Sequence, residues 1–238
     1  MSKKKLCFYC FPRGLKDHTQ NYVIIGGTAC DIHIEVAGFT PRATKDIDII
    51  LIVEALDISF VKRYWEFIKA GNYTVQEKST TDRNYYRFMK PENKAFPKQV
   101  ELFSRKPNAI QYEGEGHFTP IPSDADFSSL SAILMDDEYY NFTIKHSSSE
   151  EGLHHANPEA LICLKAKAFL DMKEQKAKGE QVDDRHIKKH KSDVFRLALL
   201  LAPANTFVIP KGIKTDMLQF VDIIKDELPD KYMFKAMG

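Results

Sequence analysis

Cysteine is scarce in this chain, and its four copies, Cys7, Cys10, Cys30 and Cys163, are too few and too scattered for a disulfide framework, which agrees with a reducing compartment. Cys7 and Cys10 form a lone C-x-x-C with no second pair at zinc-finger spacing, so an ordinary packed segment is expected there rather than a metal or redox site. A surplus of either charge is also missing. The 34 basic and 33 acidic side chains leave +1, which removes any global electrostatic case for nucleic acid or an anionic membrane and makes such contacts local. No apolar run approaches the ~18 residues of a membrane span. The opening Met-Ser-Lys-Lys-Lys is followed by no apolar core of the signal-peptide kind, so no membrane contact and a cytoplasmic location are expected. What the chain does have is material for a core: 43% of its 238 residues are hydrophobic, enough for one or two domains.

The stretch that carries chemistry runs from Tyr22 to Val53. Val23 to Ile25 is a short apolar run that stops on Gly26 and Gly27, residues that let a backbone turn tightly and offer bare N–H groups to a phosphate. Most Gly-Gly pairs are only turns. Further on, Asp46 and Asp48 open the apolar, β-branched run Ile47 to Val53, which reads as a buried central strand. Residues i and i+2 of a strand share a face, which puts the two Cα atoms roughly 6.5 Å apart at ~3.3 Å rise each. Two carboxylates that close repel, and burying them beside Ile and Leu is costly unless a cation lies between them; hard oxygen ligands suit Mg²⁺. Asp-x-Asp alone is more often a strand entry with one acid solvated and the other capping a turn. Arg42 and Lys45 flank the pair; they either neutralise it, or one of them touches a triphosphate or orients Asp46.

The rest of the chain frames this segment. Residues 28–37 are expected to form a helix with Ile32 and Val36 on one face and Gly38 closing it. A core-facing helix is expected over 57–70, with Trp65 packed inside it and Gly71 at its C-cap. Strands are expected at 74–78, 85–90 and 99–103. Glu101 interrupts the last of them, either as an edge residue facing water or as a functional acid. A loop follows over 105–125, then a hairpin of 130–135 with 139–145 around Asp136-Asp137. Residues 147–152 read as a hinge between domains, with His154 and His155 in a loop. Asn157-Pro158 opens a helix running to Gly179, a second spans 184–201, and a third spans 215–228 with Met217, Phe220, Val221 and Ile224 inward. The basic run Arg185 to Lys191 reads by default as a solvated helix face.

Gly26-Gly27-Thr28 followed by Arg42-Ala43-Thr44-Lys45-Asp46-Ile47-Asp48 resembles the signature of the nucleotidyltransferase superfamily related to DNA polymerase β. Within that superfamily the form R-x-T-x-D-I-D is similar to the AbiEii-like nucleotidyltransferases, several of which are the toxin halves of toxin–antitoxin pairs. One departure is the 18 residues between Gly27 and Asp46, more than the superfamily usually has. The resemblance implies an α+β chain: a nucleotidyltransferase-fold mixed sheet with flanking helices over 1–150, and a helical bundle over 151–238. It implies two Mg²⁺ ions, with Mn²⁺ as a substitute, held by Asp46, Asp48 and Glu101, the last as the third carboxylate on a neighbouring strand. Gly26, Gly27 and Thr28 would hold the phosphates of an NTP, with Arg42 as a further nucleotide contact. The segments Leu161 to Lys165 and Lys191 to Val194 look like the two helical motifs of the AbiEii-like proteins. By that similarity Lys165 would contact nucleotide phosphates or stabilise transfer, and Asp193 would assist the acceptor or position the lysine. The implied reaction moves NMP from an NTP to an acceptor hydroxyl and releases pyrophosphate. The acceptor is left open between tRNA or another RNA, a small molecule such as an aminoglycoside, and a protein side chain. An antitoxin is an implied partner, and a nucleotide-binding protein without turnover is the alternative of a different class.

Overall fold

The computed structural model describes residues 15–42, 44–52, 57–80, 83–104, 119–120, 133, 136–227, 229 and 234. The lone C-x-x-C at 7–10 and nearly all of the loop expected at 105–125 and the strand expected at 130–135 lie outside them. The described chain is mixed α+β, and it falls into two compact units, neither of them contiguous in sequence. The first comprises residues 1–28, 43–126 and 148–155; the second comprises 29–42, 127–147 and 156–238. This division differs from domains cut at 150/151, because 29–42 and 127–147 go with the helical part.

An eight-stranded mixed sheet dominates the first unit, in the order β6-β3-β4-β5-β2-β1-β8-β7. Its strands are β1 (Tyr22–Ile25), β2 (Asp46–Leu51), β3 (Thr74–Thr80), β4 (Arg83–Met89), β5 (Gln99–Ser104), β6 (Thr119–Pro120), β7 (Ser147–Glu150) and β8 (Leu153–Ala156). Every residue of β1 is buried, as a short all-apolar central strand requires. It pairs antiparallel with β2, placing Ile25 opposite Asp48, while β2 runs parallel to β5 with Asp48 opposite Glu101. β4 then lies antiparallel to β5, with Arg87 opposite Glu101. Glu101 is therefore not on an edge.

Helix α1 (Gly26–Val36) follows β1, and helix α2 (Ile58–Gly71) covers the sheet's apolar residues. Asp57 caps it by accepting from the Phe60 N–H at 2.7 Å, and Phe60, Val61, Tyr64, Trp65, Phe67 and Ile68 are buried at helical spacing. Trp65 meets Phe88 edge-to-face at 5.9 Å, so it packs as expected. Burying aromatics of this size contributes about 1.5–3 kcal/mol each. Gly71, expected as the C-cap, ends the helix itself, and Asn72 takes the left-handed position at φ 49°. The segment expected to be a hinge is instead a hairpin of β7 and β8, turned by Glu151 and Gly152 at φ 50° and 79°. His154 and His155 thus lie on a strand, not in a loop; His154 Nδ1 is 2.6 Å from the Thr19 carbonyl, and His155 is fully buried.

Helix α1 (Gly26–Val36) starts in the first unit, and its residues from Ala29 on belong to the second. Gly38 at φ 83° closes it: the Gly38 N–H donates to Glu35 and the Phe39 N–H to Ile34, both at 3.0 Å. Its buried apolar side chains are Ala29, Cys30 and Ile34, whereas Val36, expected to share a face with Ile32, is 70% exposed. Residues 139–145, expected as a strand, belong to helix α3 (Asp137–Lys145). Tyr and Phe favour strands locally, but Asp136 accepts from the N–H groups of Glu138 and Tyr139, and Tyr139, Tyr140, Phe142 and Thr143 then bury one helical face. Three longer helices complete this unit: α4 (Pro158–Ala177), α5 (Asp184–Ala198) and α6 (Lys211–Ile224), with α4 packed against both others. Residues 160–166 of α4 are all buried, Lys165 among them. On α6 the inward residues are Ile213 and Phe220, and Val221, expected inside, is 52% exposed. Among the described residues no helix is long and apolar enough to cross a membrane.

Candidate functional site

On β2, exposed Asp46, buried Ile47 and half-buried Asp48 alternate as a strand requires, so both carboxylates leave one face of the sheet. On the neighbouring parallel strand β5, Gln99 stands beside Asp46 and Glu101 beside Asp48, with strands roughly 4.8 Å apart. Glu101 is 7% exposed. Arg87 of β4 donates from Nε to Glu101 Oε1 at 2.8 Å, and Gln99 donates from Nε2 to the same oxygen at 2.9 Å. A charge-assisted pair at this depth holds Glu101 to one orientation.

The turn from β1 into α1 comes up against these acids. Gly26 sits at φ 71°, and a Cβ there would overlap the Asp48 carboxylate; one on Gly27 would come within 2.9 Å of Thr44 Cγ2 and Oγ1. Glycine is thus needed at 26 for backbone conformation and for space. The Asp48 carboxylate lies at the N-terminus of α1, where the helix dipole and unsatisfied N–H groups favour negative charge. Thr28 is 1% exposed, and its hydroxyl donates to the Asp46 carbonyl at 2.6 Å, tying the helix start to the acid-bearing strand.

The donor chemistry of Asp46 and Asp48 fits a hard divalent cation, leaving positions for water or phosphate oxygens. Glu101, beside Asp48 in the register, is held at one of its two carboxylate oxygens by Arg87 and Gln99. Among the described residues no three His, Cys, Asp or Glu side chains are grouped so that they could hold one ion. Arg87 already engages Glu101, and neither it nor Gln99 stands out in the sequence. Only the strand register brings them to the acid.

Arg42, Lys165 and Asp193 lie in the second unit. Asp193 on α5 is 1% exposed, ion-paired with Arg42 and 3.5 Å from Lys165 Nζ. The Arg42 N–H donates to Asp31 Oδ1 at 3.3 Å, and Asp31 is itself buried. One turn of α5 either side of Asp193 come Arg196 and His190, both more than nine-tenths buried. Burial, then the charges of Lys165, Lys189, His186 and Arg42, push the His190 imidazole down to about 2, so it is neutral at any ordinary pH. Burial likewise raises the Cys30 thiol to about 12 and lowers Arg196 from its ordinary value. Asp31, His190 and Arg196 had no signal in the sequence beyond their helical spacing. Within the basic run 185–191, only Ile187 and His190 are buried, in keeping with a solvated face.

No family model matches the chain. No curated protein is similar to it. Among solved structures, an antigenic nucleotidyltransferase-like protein from Paracoccidioides brasiliensis superposes with a TM-score of 0.44 at 15% identity, over 98% of this chain and 92% of that one. A likeness of that size transfers neither a fold family nor an activity. The coordinates themselves define a mixed α+β chain with a carboxylate pair beside a glycine turn.

Proposed function

We propose that the chain is a nucleotidyltransferase whose site is the Asp46–Asp48 face together with the Gly26–Gly27 turn. The observation that carries this reading is the fit of Gly26 against Asp48, which brings an anion-favouring helix start and a cation-favouring carboxylate to the same place. In the proposed reaction an acceptor oxygen attacks the α phosphorus of an NTP in line. The bond from that phosphorus to the bridging oxygen of the β phosphate breaks, pyrophosphate leaves, and the acceptor's proton passes to water in the open site. The Gly26 and Gly27 N–H groups hold phosphate oxygens, Thr28 keeps the turn fixed to β2, and Asp46 and Asp48 hold Mg²⁺ or Mn²⁺. A bound cation of this kind lowers the pKa of the acceptor hydroxyl and neutralises charge on the phosphates. Arg87 and Gln99 both donate to Glu101 Oε1, so in this reading Glu101 orders β4 and β5 beside the pair through that oxygen and offers Oε2 to the ligand set.

Contact of Arg42, Lys165 and Asp193 with nucleotide rests on the sequence resemblance alone. Their geometry supports Asp193 as the counter-ion of buried Lys165 and half-buried Arg42. A toxin role with an antitoxin partner rests on the same resemblance, and expression in cells tests it: induction arrests growth, and Asp48→Asn relieves the arrest. The transfer itself is tested by incubating the protein with each α-labelled NTP, Mg²⁺ and total RNA or protein, beside Asp48→Asn. Label entering a macromolecule with the wild type alone supports the reading. Equal labelling by Asp48→Asn removes it.

A further inference from the structure

A groove of about 600 Å³ opens beside Asp46; Lys90, Lys94 and Lys98 line it, together with apolar Met89, Pro91 and Phe96. All three lysines are exposed, and Glu92 is the one acid between residues 89 and 99, a local positive surplus in a chain whose net charge is +1. The segment is pinned in place. The Glu92 N–H donates to the Gly71 carbonyl at 3.1 Å, the Phe96 N–H to Asn93 at 3.0 Å and the Lys98 N–H to Lys45 at 2.9 Å. The buried Tyr73 hydroxyl donates to the Pro97 carbonyl at 2.6 Å. Lys90 is held at φ 52°, a conformation that non-glycine residues adopt at a cost and that fixed surroundings must maintain. The groove is therefore preformed.

Its lining includes Asp46 and Gln99 but not Gly26, Gly27 or Asp48, so it lies at the end of the carboxylate pair away from the glycine turn. We propose that it receives the hydroxyl-bearing end of a single-stranded polynucleotide as the acceptor, an inference that rests on the transfer reading above. The ammonium groups meet backbone phosphates, and the apolar floor accommodates a base, the usual pairing of charge and flat surface for single strands. The same lysines repel an aminoglycoside, which is itself polycationic, and contribute nothing to a neutral protein hydroxyl.

The test is fluorescence anisotropy of a short fluorescein-labelled single-stranded RNA with the full chain, without NTP, over a series of KCl concentrations. The triple variant Lys90→Gln/Lys94→Gln/Lys98→Gln binds at least about 10-fold more weakly. Its plot of log K against log salt becomes shallower by about 2, since each single-strand phosphate contact adds about 0.7. The triple Lys→Arg variant retains binding, which separates lost charge from lost fold, and ATP affinity by equilibrium dialysis is unchanged in both. Three results overturn the proposal: wild type that does not bind RNA, a Gln variant with wild-type affinity and slope, or ATP affinity falling in step with RNA affinity, which would give the groove to the triphosphate. RNA binding needs no turnover, so a failed transfer assay and a failed groove are told apart.

Discussion

Asp48 in the first unit is half-buried beside a helix start, with exposed Asp46 two residues away, whereas Asp193 in the second unit is sealed to 1% exposure between Arg42 and Lys165. The residue types are the same, and the surroundings differ. Water reaches the first pair, so its negative charge can be answered by a mobile cation at small desolvation cost. Asp193 has its cations supplied by the fold, and a buried charge so paired cannot lose one partner cheaply. Charge at Asp46–Asp48 is thus reached from solvent, and charge at Asp193 serves the packing of α4, α5 and the segment through Arg42.

Substitutions that separate activity from stability test that contrast. The largest effect belongs to Asp48→Asn, which lowers transfer by on the order of 10²–10³-fold, the usual scale for losing a group that stabilises transition-state charge. Far-ultraviolet circular dichroism and the melting temperature stay at wild-type values. Asp193→Ala does the reverse: removing the carboxylate that Arg42 and Lys165 share costs about 3–5 kcal/mol, read as a lower denaturant midpoint. An Asp193→Ala protein as stable as wild type would erase the distinction between the two clusters. Gly26→Ala affects both properties, because the left-handed backbone costs an L-residue roughly 1–2 kcal/mol and the new methyl group displaces the Asp48 carboxylate. Unfolding and labelling assays on this one variant are expected to fall together.

A pH dependence arises in the second unit and needs no substitution to be seen. His190 is neutral when folded, at about 2, and titrates near 6.5 when unfolded. Below pH 6.5 the unfolded chain therefore binds the extra proton. The stabilisation is complete above that pH and declines by up to about 1.4 kcal/mol per pH unit as the medium is acidified toward the folded value. Denaturant midpoints between pH 7 and pH 4 check this, and His190→Leu is expected to flatten the profile relative to wild type.

The local parts of the site were legible in the sequence. A strand ending in Gly26-Gly27, a helix after it and an acid-bearing strand at 46–51 follow from neighbouring residues, and so do the Asn157-Pro158 helix start and the packing of Trp65. Non-local pairing was not legible. Arg87 reaches Glu101 through the sheet order β4-β5-β2, which no short pattern encodes, and the same order turns a residue that reads as an edge acid into a buried one. Elsewhere one local signal overrode another. Asp136 as a cap outweighs the strand preference of Tyr139, Tyr140 and Phe142, and Glu151-Gly152 reads equally well as a hinge or as the hairpin turn it is. On α6, Val221 fits the helical period of an inward face, but its side chain is half exposed because Ile213 and Phe220 set the buried line.

The claim that the Asp46–Asp48 pair is kept for a ligand is tested most directly by thermal unfolding of wild type and Asp48→Asn with and without MnCl₂. A cation that binds the folded chain must raise its melting temperature by mass action. The account predicts that the wild type melts higher with Mn²⁺, while Asp48→Asn is as stable as the cation-free wild type and does not respond. An equal Mn²⁺ response in both proteins, or a large loss of stability in Asp48→Asn, would contradict it.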